Sequence, residues 1–369
     1  MDPTVIICID GLGKDLISLE NTPFLYEFGK NNLISRLETL FAFTGIEYCF
    51  FSGKEPDKTK IWLEFEKSKR SIFNNPLIRL FSFNKKLRTY LGAFIQLFSN
   101  RTYIAGLHNI PKNMLKYFDT SSKKGLWEKE YFKDKNFVFY KWPFFIQKDE
   151  NKLTKRLVFK YEKDNERLKR LMKPLKKEIY YTQLMEVDKA IHKYGKWSEE
   201  VKVVLKNLDR TLKKHISKAL KLGLDIIIWS DHGFADIDNY IDIQKLLPKR
   251  NDYFYFIAGT TVSFWFKTDI AKKEITEILR KIKIGEILDK KTAERYRIPF
   301  LDKYGELIFY IPKGNYFFPN FYQKNENEKF KSMHGYPEDP ELDGFFMTNK
   351  KVNITKDKAL KMNEVYEFL

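Results

Sequence analysis

Asp225-Ile226-Ile227-Ile228-Trp229-Ser230-Asp231-His232-Gly233 is the stretch that decides the fold. A short apolar run bounded by a polar loop reads as a buried strand. Upstream, Ser198-Glu199-Glu200 offers an N-cap and first-turn acids favoured by the helix dipole. Val201, Val204, Leu205, Leu208, Leu212, Ile216, Ala219 and Leu220 then keep one helical stripe as far as Gly223, a C′ glycine. Helix, turn, apolar strand and polar loop is the order of an α/β sheet. Thr4-Val5-Ile6-Ile7-Cys8-Ile9 followed by Asp10-Gly11 repeats the strand-to-loop pattern near the start. Functional groups of open α/β sheets gather at the carboxyl ends of strands. Asp10, Asp231 and His232 are therefore candidates.

Composition sets the bounds. The chain has 369 residues, 43% hydrophobic and 16% aromatic, so it has ample material for a core and is not a disordered polymer. No apolar run approaches the roughly 18 residues of a membrane span. Two cysteines exclude a disulfide framework and an all-cysteine zinc site. Five histidines limit any imidazole chemistry to His108, His192, His215, His232 and His334. Met1-Asp2-Pro3 runs straight into the first strand without the basic and apolar regions of a leader. The expectation is a cytoplasmic protein with Cys8 and Cys49 reduced and buried.

At about 150 residues per domain the length suggests two domains, but the texture suggests one core with insertions. Residues 14–40 carry helical periodicity around Pro23, and 41–53 read as a loop leading into a short buried helix. From 63 to 180 basic and aromatic residues alternate irregularly. Residues 151–180 alone hold eleven Lys and Arg against four Asp and Glu. Strands are expected at Thr260–Phe266 and Leu307–Ile311 around a helix near 270–283, and a last core strand at 343–347. The expected core is 1–62, 181–245 and 330–369, with cap insertions at 63–180 and 246–329.

Asp188 and His192 stand i and i+4, which on a helix puts carboxylate and imidazole on one face. His334 precedes Gly335-Tyr336 in a loop. Three imidazoles and three carboxylates suit a pair of borderline divalent ions, zinc first and manganese second. Taken singly, each has a plainer reading. Asp188 and His192 make a solvated helix pair, and Asp10-Gly11 makes a strand-ending turn. His108 reads as a loop histidine of the cap and His215 as a solvated residue of the basic helix. Ser263, on the Thr260–Phe266 strand, is a guess for a side chain facing substrate. Gly11-x-Gly13 lacks the P-loop pattern.

The motifs together resemble the alkaline phosphatase superfamily, in particular its type I phosphodiesterase/nucleotide pyrophosphatase branch. The resemblance lies in Ile-Cys-Ile-Asp10-Gly-Leu, in Thr44 before a helix closing on Ser52-Gly53, and in Asp188-x-x-x-His192-x-x-Gly195. It continues in Trp229-Ser230-Asp231-His232-Gly233-Phe234 and Met333-His334-Gly335-Tyr336-Pro337, all in the family's order. It implies a three-layer α/β sandwich with a largely parallel central sheet, helices on both faces and inserted caps. It also implies that Asp10, Thr44, Asp231 and His232 hold one metal, with Thr44 as nucleophile. Asp188, His192 and His334 would hold the other. The implied reaction is two-step hydrolysis of a phosphodiester or pyrophosphate through a phosphothreonine, on a small anionic substrate such as a nucleotide or nucleotide-linked sugar. Two departures stand out. The family's Pro-Asn-His after the nucleophile is Gly45-Ile46-Glu47 here, and no Asn stands where the family places a phosphoryl-binding amide.

Two rival functions remain. One is a metal-dependent phosphomonoesterase. The other is a basic protein that docks on membrane or nucleic acid with a vestigial metal site. The net charge of +18 fits solvated helix faces, steering of an anionic substrate, or an acidic docking partner. Residues 68–101, where Lys and Arg interleave with Phe, Leu and Ile, could lie on anionic lipid. No nucleic-acid motif accompanies them. Oligomeric state is not legible.

Overall fold

The computed structural model describes residues 3–41, 45–69, 71–82, 84, 87–88, 90–91, 110–111, 114–120, 126, 129–150, 152–158, 160–173, 177–323, 325–337, 339–352 and 358–369. Thr44, His108 and residues 92–101 of the basic aromatic segment 68–101 lie outside them.

A nine-stranded sheet organises the molecule. Its order is Leu360–Lys361, Leu33–Glu38, Gly344–Thr348, Asp225–Trp229, Thr4–Ile9, Ile179–Leu184, Phe137–Lys141, Phe144–Asp149 and Lys152–Leu157. Only Gly344–Thr348 and Phe144–Asp149 run against the rest. The central strands are apolar throughout because both faces are covered, as parallel sheets require.

Side chains alternate between two cores, as the period of a strand dictates. On one face Ile6, Cys8, Ile227, Trp229, Phe139 and Tyr181 meet Ile46, Cys49, Phe50 and Phe51 of the helix Gly45–Ser52. Phe50 stacks on Trp229 at 3.9 Å between ring centroids, which seats that helix over the strand leading to Asp231. On the other face Val5, Ile7, Ile9, Ile226 and Ile228 meet the helices Pro23–Asn31, Asp164–Leu171, Glu186–Tyr194 and Glu199–Lys221. Burying each Leu, Ile or Phe fully is worth about 1.5–3 kcal/mol, so both cores are required for stability. This is the expected three-layer arrangement.

The long helix Glu199–Lys221 is capped by Ser198, whose hydroxyl accepts from Val201 N–H. It buries Val201, Leu205, Leu208, Leu212, Ile216 and Ala219 of the expected stripe, while Val204 is half-buried and Leu220 at the last turn is exposed. His215 departs from expectation. It is buried on the flank facing Asp164–Leu171, and its Nε2 meets Asn165 Oδ1 at 3.1 Å. Helical periodicity over 14–40 is also only part of the truth. The helix is Pro23–Asn31, capped by Asp209, whose carboxylate accepts from Phe24 and Leu25 N–H at 2.9 Å each. Leu33–Glu38 is a strand of the sheet, its pairing with Gly344–Thr348 overriding the local pattern.

The stretch 63–180, expected as an insertion, contributes three strands. Phe137–Lys141 pairs in parallel with Ile179–Leu184, and two hairpin strands complete that edge. Phe137, Val138, Phe139 and Tyr140 are buried on alternating faces, a core pattern masked in sequence by the surrounding lysines. Within 246–329 a separate antiparallel sheet forms, in the order Tyr253–Ile257, Thr261–Phe266, Leu307–Tyr310 and Glu286–Ile287. The helix Asp269–Lys281 covers one of its faces through Ala271, Ile275 and Leu279. Among the described residues no helix is long and apolar enough to cross a membrane.

Candidate active site

The carboxyl ends of three neighbouring strands converge. Asp10 follows Thr4–Ile9, and Asp231 and His232 follow Asp225–Trp229. Asp188 sits in the first turn of Glu186–Tyr194, the helix after Ile179–Leu184, with His192 one turn on. His334 arrives from a distant part of the chain by two ties. Ala235–Asp236 pairs with Ser332–Met333, and Lys331 N–H donates to His192 O at 2.7 Å.

These ties assemble two overlapping groups. The ligand atoms of Asp10, Asp231 and His232 lie within 4.8 Å of one another, and so do those of Asp188, His232 and His334. His232 Nε2 is 3.4 Å from Asp10 Oδ1 and 3.8 Å from Asp231 Oδ2. Asp188 Oδ1 is 3.4 Å from His192 Nε2 and 3.8 Å from His334 Nε2. Six of the seven residues singled out from sequence are thus brought together, and the seventh, Thr44, lies outside the described residues. Gly45, next in the chain, opens the buried helix on which Phe50 stacks against Trp229. Ser263 is not among them: it is buried in the cap beside a cavity of about 20 Å³ lined by Phe118, Trp265 and Tyr304.

Backbone carbonyls orient the imidazoles. His192 Nδ1 faces Ser332 O at 2.9 Å and His232 Nδ1 faces Gly233 O at 3.0 Å. A carbonyl only accepts, so each Nδ1 carries a proton and each ring turns its Nε2 toward the cluster. Gln183 Nε2 donates to Asp10 Oδ2 at 2.8 Å, and Gly11 N–H donates to Asp231 Oδ1 at 3.3 Å.

The electrostatics describe a site in need of positive charge. Burial, with Asp231 and Asp188 close by, pushes Asp10 up to about 8. Burial likewise raises Asp231. Burial opposes charge on His232, but Asp231 and the hydrogen bond to Asp10 outweigh it and lift the imidazole to about 10. Burial, then His232 and His192, hold His334 well below the usual histidine range. Burial opposes charge on Asp188 too, yet His192 more than offsets it and leaves that carboxyl below the usual range. Two buried carboxylates and a half-buried third, set among imidazoles, are costly alone and suited to divalent cations.

Several contributors carry no motif. Asp164 accepts from Met185 and Glu186 N–H at 3.0 and 3.1 Å, capping the helix that bears Asp188 and His192. Lys196, 1% exposed, ties Phe234 O to Asp15 Oδ2 at 2.8 and 2.6 Å. The signal for Gln183 in the sequence is a polar amide near the end of a strand rich in Ile, Tyr and Leu.

An α/β sandwich with paired carboxylate–imidazole groups at its strand ends has the alkaline-phosphatase-like fold, and the class is a hydrolase acting on phosphoric esters. Residues 4–337 match the family type I phosphodiesterase/nucleotide pyrophosphatase, and the chain belongs to that family. The fold is similar to that of murine ectonucleotide pyrophosphatase/phosphodiesterase 5, at TM-score 0.69 and 14% identity, covering 99% of this chain and 93% of that one. The human counterpart gives the same figures. A further murine structure, described as an inactive threonine-to-alanine form in complex with AMP, aligns at TM-score 0.67 and 14% identity over 100% of this chain and 94% of that one. No curated protein sequence matches.

Proposed function

We propose that the chain hydrolyses a phosphodiester or pyrophosphate bond of a small anionic substrate, with a nucleotide or nucleotide-linked compound as the leading class. The observation that carries this reading is the pair of groups sharing His232 at the strand ends. The family match and the description of AMP in a murine relative support it.

The donor set fits two divalent ions, zinc first and manganese second. Asp10, Asp231 and His232, with Thr44, would hold one, and Asp188, His192 and His334 the other. When bound, the ions would supply Lewis-acid charge to the phosphoryl oxygens and favour the alkoxide of the nucleophile. The chain's own residues do the rest. Thr44 Oγ attacks phosphorus in line with the leaving oxygen, forming the phosphothreonine bond as the leaving bond breaks. The alcohol or nucleotide departs with a proton. Water then attacks phosphorus from the opposite side, releasing the phosphate product and restoring the Thr44 hydroxyl. Gln183 and the backbone carbonyls behind His192 and His232 keep carboxylate and imidazoles oriented throughout.

The test is hydrolysis of bis(p-nitrophenyl) phosphate against p-nitrophenyl phosphate by zinc-loaded protein, with Thr44→Ala alongside. The diester should be preferred, and Thr44→Ala should lose turnover by about 10³-fold while retaining metal. A large preference for the monoester would replace this substrate class by phosphomonoesters, and full turnover by Thr44→Ala would remove the nucleophile.

A further inference from the structure

The structure presents one more charged group at the end of the sheet that carries Asp10. Lys141 ends the strand Phe137–Lys141. One residue beyond the pair Tyr140↔Thr182, it stands level with Gln183, which holds Asp10. By the period of the strand it shares the face of Phe137 and Phe139, as Tyr181 and Cys8 do on the neighbouring strands. Its ammonium pairs with Glu47 Oε2, and Tyr181 Oη donates to Glu47 Oε1 at 2.5 Å. Glu47 is buried in the first turn of the helix Gly45–Ser52, three residues after Thr44 in the chain. The three side chains thus link that helix to the strand beside Asp10's own and to the next strand along the sheet.

A buried ion pair is weak evidence for stability, because removing two charges from water costs about what their attraction returns. This pair also sits where it can be used. The Lys141 side chain keeps 28% of its surface accessible, against 11% for Glu47. An ammonium has three donors, and Glu47 occupies one. Burial opposes its charge, but Glu47 and then Asp10 outweigh that and hold it protonated.

We propose that Lys141, whose ammonium pairs with Glu47, binds the phosphoryl oxygens of the substrate that the metals leave uncovered. The proposal rests on the phosphoryl-transfer reading above and deepens it. A full positive charge favours the more highly charged phosphoryl group, so Lys141 shifts selectivity toward monoesters and terminal phosphates relative to a neutral side chain.

The experiment measures binding of inorganic phosphate to zinc-loaded protein by calorimetry, with metal content and Tm recorded for every variant. Lys141→Met should weaken phosphate binding about 10- to 100-fold, the span expected for losing a hydrogen bond to a charged group. It should also lower the ratio of monoester to diester turnover. Lys141→Arg should retain most of the binding. Glu47→Gln keeps the acceptor for Tyr181 but removes the competing charge, so it should bind phosphate as tightly as the parent or more tightly. Phosphate binding unchanged in a folded, metal-replete Lys141→Met protein overturns the proposal. So does Glu47→Gln weakening phosphate as much as Lys141→Met, since the pair would then only hold the helix. Phosphate binding is read without turnover, so a parent protein that binds phosphate through Lys141 but hydrolyses nothing would reject the hydrolase reading alone.

Discussion

The imidazoles of His232 and His334 lie face to face inside the site, 3.7 Å between centroids and 10° between planes. Two protonated rings could not share that position. Asp231 and Asp10 lift His232 to about 10, while burial and then His232 hold His334 well below the usual histidine range, so a proton favours His232. A divalent ion replaces that proton and neutralises the clustered carboxylates.

Stripping divalent metal with a chelator should therefore lower Tm and abolish hydrolysis, and zinc should restore both. Metal at a hundred times its Kd is worth about 2.7 kcal/mol per site, or about 5 °C in Tm. Protons must leave Asp10, at about 8, and His232, at about 10, for an ion to enter. Metal affinity should thus rise from pH 6 to pH 8. A Tm indifferent to verified metal removal would count against the site.

Gln183→Leu removes the 2.8 Å hydrogen bond to Asp10 Oδ2 while keeping side-chain bulk in the strand. Outer partners of this kind are worth about 10- to 100-fold in metal affinity or activity. We expect a loss of that size at unchanged circular dichroism, read by metal titration and turnover.

Asp164 gives a pH test away from the ligands. Burial raises its carboxyl from 3.8 to about 6, against the hydrogen bonds from Met185 and Glu186 N–H. The folded chain holds this proton more tightly than the unfolded one. The resulting stability is present below about pH 4 and is lost as pH rises through 6. The wild-type stability relative to Asp164→Asn should fall by about 2 kcal/mol between pH 4.5 and pH 8. Denaturant melts at the two pH values measure it, and a difference independent of pH would refute the assignment.

Gly344 lies against the loop that carries Asp231 and His232. A Cβ there would stand 2.0 Å from Ser230 O and 2.7 Å from Ser230 C, backbone atoms that cannot turn aside as a side chain could. Gly344→Ala should cost about 3 kcal/mol and weaken metal binding together. Gly223, whose Cβ would meet nothing within 4 Å, is the control position: the loss in Gly223→Ala should be confined to its strained φ of +73° and leave metal binding intact.

Local pattern was enough for the sheet's centre. Thr4–Ile9 and Asp225–Trp229 are continuous apolar runs closed by polar loops, and a strand buried on both faces must look so. The stripe of Glu199–Lys221 and its Ser198 cap are equally local. Asp10, Asp188, His192, Asp231, His232 and His334 could be picked out as candidate ligands because residue type, helical spacing and position beside strand ends or glycine are all local. What the sequence could not settle is whatever depends on partners remote along the chain. Leu33–Glu38 is a strand because Gly344–Thr348 lies beside it, and Phe137–Lys141 joins the core because Ile179–Leu184 offers it an edge. His215 is buried because Asn165 faces it. The union of Lys141, Glu47 and Tyr181 spans 134 positions between Glu47 and Tyr181. Such contacts form only once packing has brought distant polar groups out of water together, where each must find a partner.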